Sequence, residues 1–259
     1  MTTHVTVQDI RNEPYWWIRL VELLLGLLAL VLLVSFNSCG SLTVSCPATT
    51  TGVQLQQEPI QICVKFPFTL SKYRIEDYCH GQMKPQRLMH VDYNSQAIFL
   101  FIIILMSTIY SFLSFVFYLR YWQKYLSDTF FLVPDLMLTA TYSAYWLASI
   151  SSFMSALSGM KMYTSDAQMA DALAQLYTCF GDGVLCTVHR GTWGQWASLN
   201  FLCVLGVVSV VVWAINAFLI MQKLHVTKLN VDRLSKTAAD RESVTTPIAA
   251  ATHYGAAMG

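Results

Sequence analysis

Charge is what this sequence has least of. Only 12% of its 259 residues are Asp, Glu, Lys or Arg, and with histidine neutral the net charge is +1. A chain this close to neutral lacks the basic field that draws proteins onto nucleic acid, so no nucleic-acid partner is expected. The marks of catalysis are missing too. There is no nucleotide-binding glycine motif and no carboxylate pair set for a cleft, and the histidines (His4, His80, His90, His189, His225, His253) are scattered. No enzyme activity, cofactor or metal is expected. No Asn-X-Ser/Thr sequon occurs either, which excludes an N-linked glycan of the usual kind.

What is abundant is apolar surface, 55% of the residues, gathered in runs of the length a bilayer core about 30 Å thick requires of a helix. Four spans are predicted, at about 16–36, 97–119, 136–157 and 196–221. The first contains LLLGLLALVLLV, shorter than a full crossing, and a cleaved signal peptide is its competing reading. Trp16 and Trp17 resemble an interfacial belt, Arg19 can snorkel, and Arg19 and Glu22 stand one turn apart and can pair. Counting them restores a full span.

With both ends on one side, residues 1–15 and the tail 223–259 share the cytosol, the tail being expected to be disordered. The loops 37–96 and 158–195 lie opposite. Six of the seven cysteines (Cys39, Cys46, Cys63, Cys79, Cys179, Cys186) fall in those loops, and Cys203 falls in the fourth span. Disulfides persist in oxidising compartments, so the loops are expected to be luminal. The basic residues Arg120, Lys124, Lys223, Lys228, Arg233 and Lys236 agree weakly with cytosolic ends, and Lys84 and Arg87 run against it. CFGDGVLC is read as a bridge from Cys179 to Cys186 around a Gly-Asp-Gly turn, since the spacing fits no zinc or redox pattern. The four cysteines of the first loop allow three pairings.

Helical spacing sets Ser107, Ser111, Ser114 and Tyr118 on one stripe of the second span, and Ala144, Ala148, Ser152 and Ser155 on one of the third. Small residues let helices approach in lipid, so both stripes are expected to make bundle contacts, with a water-lined pore as the sharper alternative. Gly206, Ser209, Trp213 and Asn216 share a face of the fourth span. A buried amide needs a partner, so Asn216 is expected to bond another helix of the bundle or of a neighbouring protein. Asp135, after Pro134, is read as a carboxylate at a helix start, with no intramembrane charge at its depth. Val116, Tyr118 and Arg120 in VFYLR fit the loose pattern proposed for cholesterol contact.

A family resemblance rests on many such positions together. VDYNSQAIF at 91–99, YS at 110–111, Tyr118, and KY at 124–125 resemble the synaptophysin and pantophysin family of MARVEL-domain vesicle proteins. So do Asp135, Thr139, Ala140, Trp146, Leu147, Ser149, Leu157, Ser158 and Lys161 in the third span, and Leu199, Asn200, Gly206, Trp213 and Asn216 in the fourth. Glu13 with Pro14, Cys46, FPFTL and Cys79 extend the likeness over roughly residues 13 to 223. The resemblance implies an all-α, MARVEL-like four-helix transmembrane bundle with bridges Cys46 to Cys79 and Cys179 to Cys186. That leaves Cys39 and Cys63 as a second pair in the first loop; they depart from the family, whose cysteine near the end of the first span is Leu33 here.

It also implies a vesicle membrane protein that forms homo-oligomers, associates with cholesterol and binds the v-SNARE synaptobrevin, affecting exocytosis and retrieval. Asn200, Gly206, Ser209, Trp213 and Asn216 are the expected lateral contacts. The short tail lacks tyrosine-glycine-proline repeats, Tyr254-Gly255 apart, and places the chain nearer the pantophysin branch. The rival class is a four-span channel or junction protein. Connexin-like loops carry three cysteines each, claudin-like first loops a tryptophan motif, and tetraspanins a Cys-Cys-Gly, none of which this chain has.

Overall fold

The computed structural model describes residues 14–45, 60–70, 74–77, 84–87, 91–127, 129–165, 167–168, 187–190 and 196–254. Four helices dominate it: α1 (Pro14–Val34), α2 (Asn94–Ser127), α3 (Thr129–Tyr163) and α4 (Ala197–Tyr254). Each packs on its neighbours in chain order, and α4 closes against α1. Pro14 opens α1, at a position where its missing N–H costs nothing. Tyr121 leaves helical geometry (φ −128°, ψ 27°) and kinks α2 just past its apolar stretch.

Among the described residues, three helices are long and apolar enough to cross a membrane, over Tyr15–Val34, Asn94–Tyr121 and Ala197–Leu229. The outward side chains agree: Val31, Leu113 and Val204 are about 60% exposed, an arrangement that water would penalise and lipid favours. These helices fit a multi-pass membrane protein. The third expected span has its helix, but serine, threonine, tyrosine and tryptophan dilute the apolarity of α3.

The chain is mostly helical with four helices, as expected, and two details are corrected. The loops are not without regular structure but carry strands: β1 (Asn37–Ser45), β2 (Ile60–Lys65), β3 (Arg74–Asp77), β4 (Lys84–Arg87) and β5 (Thr187–Arg190). β1 is the centre of an antiparallel sheet ordered β2-β1-β5, which joins the two loops, while β3 pairs with β4. The tail is not unstructured either, since α4 continues to Tyr254. Between Gly206 and Gly255 the sequence has no glycine and only Pro247 to interrupt a helix.

Cys39 and Cys63 face each other in the β1–β2 register and form a disulfide. Cys46, Cys79, Cys179 and Cys186 lie outside the described residues, and their expected bridges with them. The FPFTL stretch turns down into the bundle: Phe68 is fully buried, with ring centroids 5.7 Å from Phe36 and 6.1 Å from Phe153. Phe36 in turn stacks on Trp196 at 5.9 Å, so an aromatic plug closes this end. α3 and α4 approach closely at Gly206, where an added Cβ would lie 2.6 Å from Ile150 Cγ1. Gly206→Leu is expected to lower stability by about 1 to 3 kcal/mol by overpacking. Thermal unfolding in detergent measures it, and Ile150→Ala in the same chain should recover part of the loss.

Candidate functional site

A charged cluster occupies the interior of the bundle, on side chains from all four helices. Arg19 and Glu22 project from the second and third turns of α1, one turn apart, and both are 3% exposed. Arg19 Nη1 donates to Glu22 Oε2 at 2.9 Å, the pair that the spacing predicted. Arg19 Nη2 donates to Asp135 Oδ1 and, at 3.2 Å, to Thr139 Oγ1, both on α3. One guanidinium therefore spans two carboxylates on two helices, using the fork geometry that lysine lacks.

The remaining acceptor positions are filled by neutral donors. Tyr110 and Tyr125 of α2 both donate their hydroxyls to Asp135, one to each carboxylate oxygen. Asn216 Nδ2 of α4 donates to Glu22 Oε1 at 2.7 Å, and Ser111 Oγ lies 3.5 Å from Glu22 Oε2. The guanidinium carbon sits 5.3 Å from the Tyr110 ring centre and 6.0 Å from that of Trp213, within cation–π reach. Buried charges persist only when paired and hydrogen-bonded; here each is hydrogen-bonded, and one guanidinium is shared between the two carboxyl groups.

Asp135 is thereby corrected from a carboxylate at a helix start to the buried partner of Arg19. α3 begins at Thr129, so Asp135 falls in its second turn and faces inward, only 8% exposed. Arg19 does not snorkel but turns into the bundle. Asn216 finds its partner within the chain, at Glu22. Gly206, Ser209 and Trp213 face the interior beside it, whereas Asn200 is exposed and accepts a hydrogen bond from Lys161 Nζ at 2.6 Å.

The serine stripe of α2 makes helix contacts at Ser107, which accepts from Trp146 Nε1 at 3.1 Å, and at Ser111. The stripe expected on α3 does not: Ala144, Ala148 and Ser155 face outward and only Ser152 is half-buried. The inward face of α3 is Thr139, Trp146, Ser149, Ile150 and Phe153.

The VFYLR residues separate. Val116 and Arg120, one turn apart, line an open apolar cavity of about 560 Å³ between α2 and α3, walled by Phe112, Leu113, Phe117, Phe131 and Leu138. Tyr118 points the other way and is buried against Tyr125, ring centres 5.5 Å apart, so it is corrected out of that surface. Positions two apart on a helix face opposite sides. Among the described residues, no group of three or more His, Cys, Asp or Glu is arranged to hold a metal ion. No protein-family model matches this chain.

Proposed function

We propose that this chain is a non-enzymatic membrane protein of small transport or synaptic vesicles, in which all four helices cross the bilayer and both ends face the cytosol. The observation that carries the reading is the buried cluster. α3 supplies Asp135 and Thr139 to a site whose other members stand on the three apolar helices, so a bilayer that holds those three holds α3 among them. Its lower apolarity then marks the helix that packs against protein on its outer side as well. Ala144, Ala148 and Ser155 present a small, exposed face there, suited to close approach by a second copy.

The resemblance adds cholesterol and a synaptobrevin-like v-SNARE as partners in the plane of the membrane. The cavity beside Val116 and Arg120 is apolar with a cation at its edge, chemistry that suits a sterol. In this reading the protein acts laterally, gathering and retrieving vesicle components. A pore through one bundle is disfavoured because Trp146, Trp213 and Phe153 fill the interior; conduction would require a ring of bundles.

Covalent crosslinking in intact small vesicles, followed by purification of this protein and mass spectrometry, tests the reading. Self-crosslinked oligomers together with a v-SNARE are expected, and leucine at both Ala144 and Ala148 should reduce the self-crosslinks. Oligomers without a v-SNARE at any linker length would remove the SNARE part, and conductance in a planar bilayer would then favour the channel.

A further inference from the structure

The cluster does not balance electrically. One guanidinium, Arg19, faces two carboxylates, Glu22 and Asp135, so full ionisation leaves one negative charge in excess among groups that are more than nine-tenths buried, with Asp135 bordering the open cavity between α2 and α3. Arg19 is the cation that pairs with either carboxylate among the described residues. The other titratable groups around the cluster are the phenols Tyr110 and Tyr125 from α2 and Tyr142 of α3, whose ring lies 5.3 Å from that of Tyr110, and Arg120 of α2, which lines the cavity that Asp135 borders. Tyr15 of α1 is directed instead to the Leu219 carbonyl at 3.1 Å. α4 contributes Trp213 and Asn216, neither of which titrates. An uncompensated buried charge is removed most cheaply by taking up a proton.

The two carboxyl groups are not equivalent hosts for it. Asp135 is enclosed by donors, receiving Arg19, Tyr110 and Tyr125, the setting that favours a carboxylate. Glu22 stands between Ser111 and Asn216, and each of these can accept as well as donate. A serine hydroxyl can rotate to accept a carboxylic O–H, and an amide can turn its oxygen toward one. With the proton on Oε1 and directed to Asn216, Arg19 still donates to the carbonyl oxygen Oε2 at the same 2.9 Å; with the proton on Oε2 and directed to Ser111, Arg19 meets the hydroxyl oxygen.

We propose that Glu22 is a proton-binding site, a neutral carboxylic acid at neutral pH that hydrogen-bonds Ser111 or Asn216 and leaves Arg19 and Asp135 as the single ion pair. The proton couples α1, which carries it, to α2 or α4, whichever receives its hydrogen bond. Its loss would place a second negative charge beside the first. The site does not depend on the vesicle or partner assigned above.

Infrared spectroscopy of the full chain in phosphatidylcholine vesicles at pH 7 tests it. Exposed carboxyl groups are ionised at that pH, so a protonated-acid C=O band reports a buried one. The wild type should show the band, with a downshift in D2O. Glu22→Gln, which keeps the shape and hydrogen bonds of a neutral acid, should fold normally and abolish it. Ser111→Ala should shift its frequency where Ser111 accepts the O–H and leave it in place where Asn216 does, so this variant tells the two acceptors apart. A wild-type spectrum without the band, or a band that survives Glu22→Gln, overturns the proposal.

Discussion

Arg19→Met should be among the most damaging single substitutions in this chain, lowering stability by about 3 to 5 kcal/mol. The methionine fills much the same volume, so the loss is electrical: the guanidinium that serves Glu22 and Asp135 disappears and both carboxyl groups stay buried. Thermal unfolding in detergent at pH 7 measures it. The triple change Arg19→Met, Glu22→Gln and Asp135→Asn should recover most of the loss, because buried ion pairs replaced by neutral groups of similar shape come close to break-even. A single variant that melts with the wild type would show that the network is hydrated and contributes little. A triple variant as unstable as the single one would instead point to shape or hydrogen-bond geometry.

This cluster was only partly legible in the sequence, for a physical reason. Arg19 and Glu22 are three residues apart, and helical spacing alone brings them together. The need of Asn216 for a partner follows from the cost of a buried amide, but the identity of that partner does not, since Glu22 is 194 residues away. Asp135 was misjudged because Pro134 looks like the start of a helix. α3 starts five residues earlier, which rotates the carboxylate to the inside and to the depth of Arg19.

The small residues of α3 misled in a related way. They occur on both faces, Ser149 and Ala156 inside and Ala144, Ala148 and Ser155 outside, and apolar residues surround the helix with little bias. In lipid both faces of a helix are permitted to be apolar, so the periodicity that orients a helix in a water-soluble protein loses its force. The disulfide from Cys39 to Cys63 was read by elimination once the family pairing was assumed. The strands that hold these cysteines opposite each other leave a weak mark in the sequence, because they are short and mix β-branched residues with glycine, serine, glutamine and lysine.

Trp213→Ala should cost about as much as the loss of the guanidinium, about 3 to 5 kcal/mol, for the opposite reason. Trp213 is almost fully buried, its ring 5.3 Å from Tyr142, 6.1 Å from Tyr110 and 6.0 Å from the Arg19 guanidinium carbon. Alanine leaves a cavity on the wall of the charged cluster, and dispersion contacts are lost whether or not water enters. Trp213→Phe keeps an aromatic face and most of the volume, so its loss should be clearly smaller. Equal losses in the two variants would mean that the indole, rather than its volume, is what α4 contributes. The two effects share one partner and should therefore not add. With Arg19→Met already in place the ring no longer screens a cation, and Trp213→Ala should cost less than it does in the wild type, by about 0.5 to 2 kcal/mol, the range of a cation–π contact. Strict additivity in that double-mutant cycle would separate packing from charge at this site and leave Trp213 as a filler of the bundle.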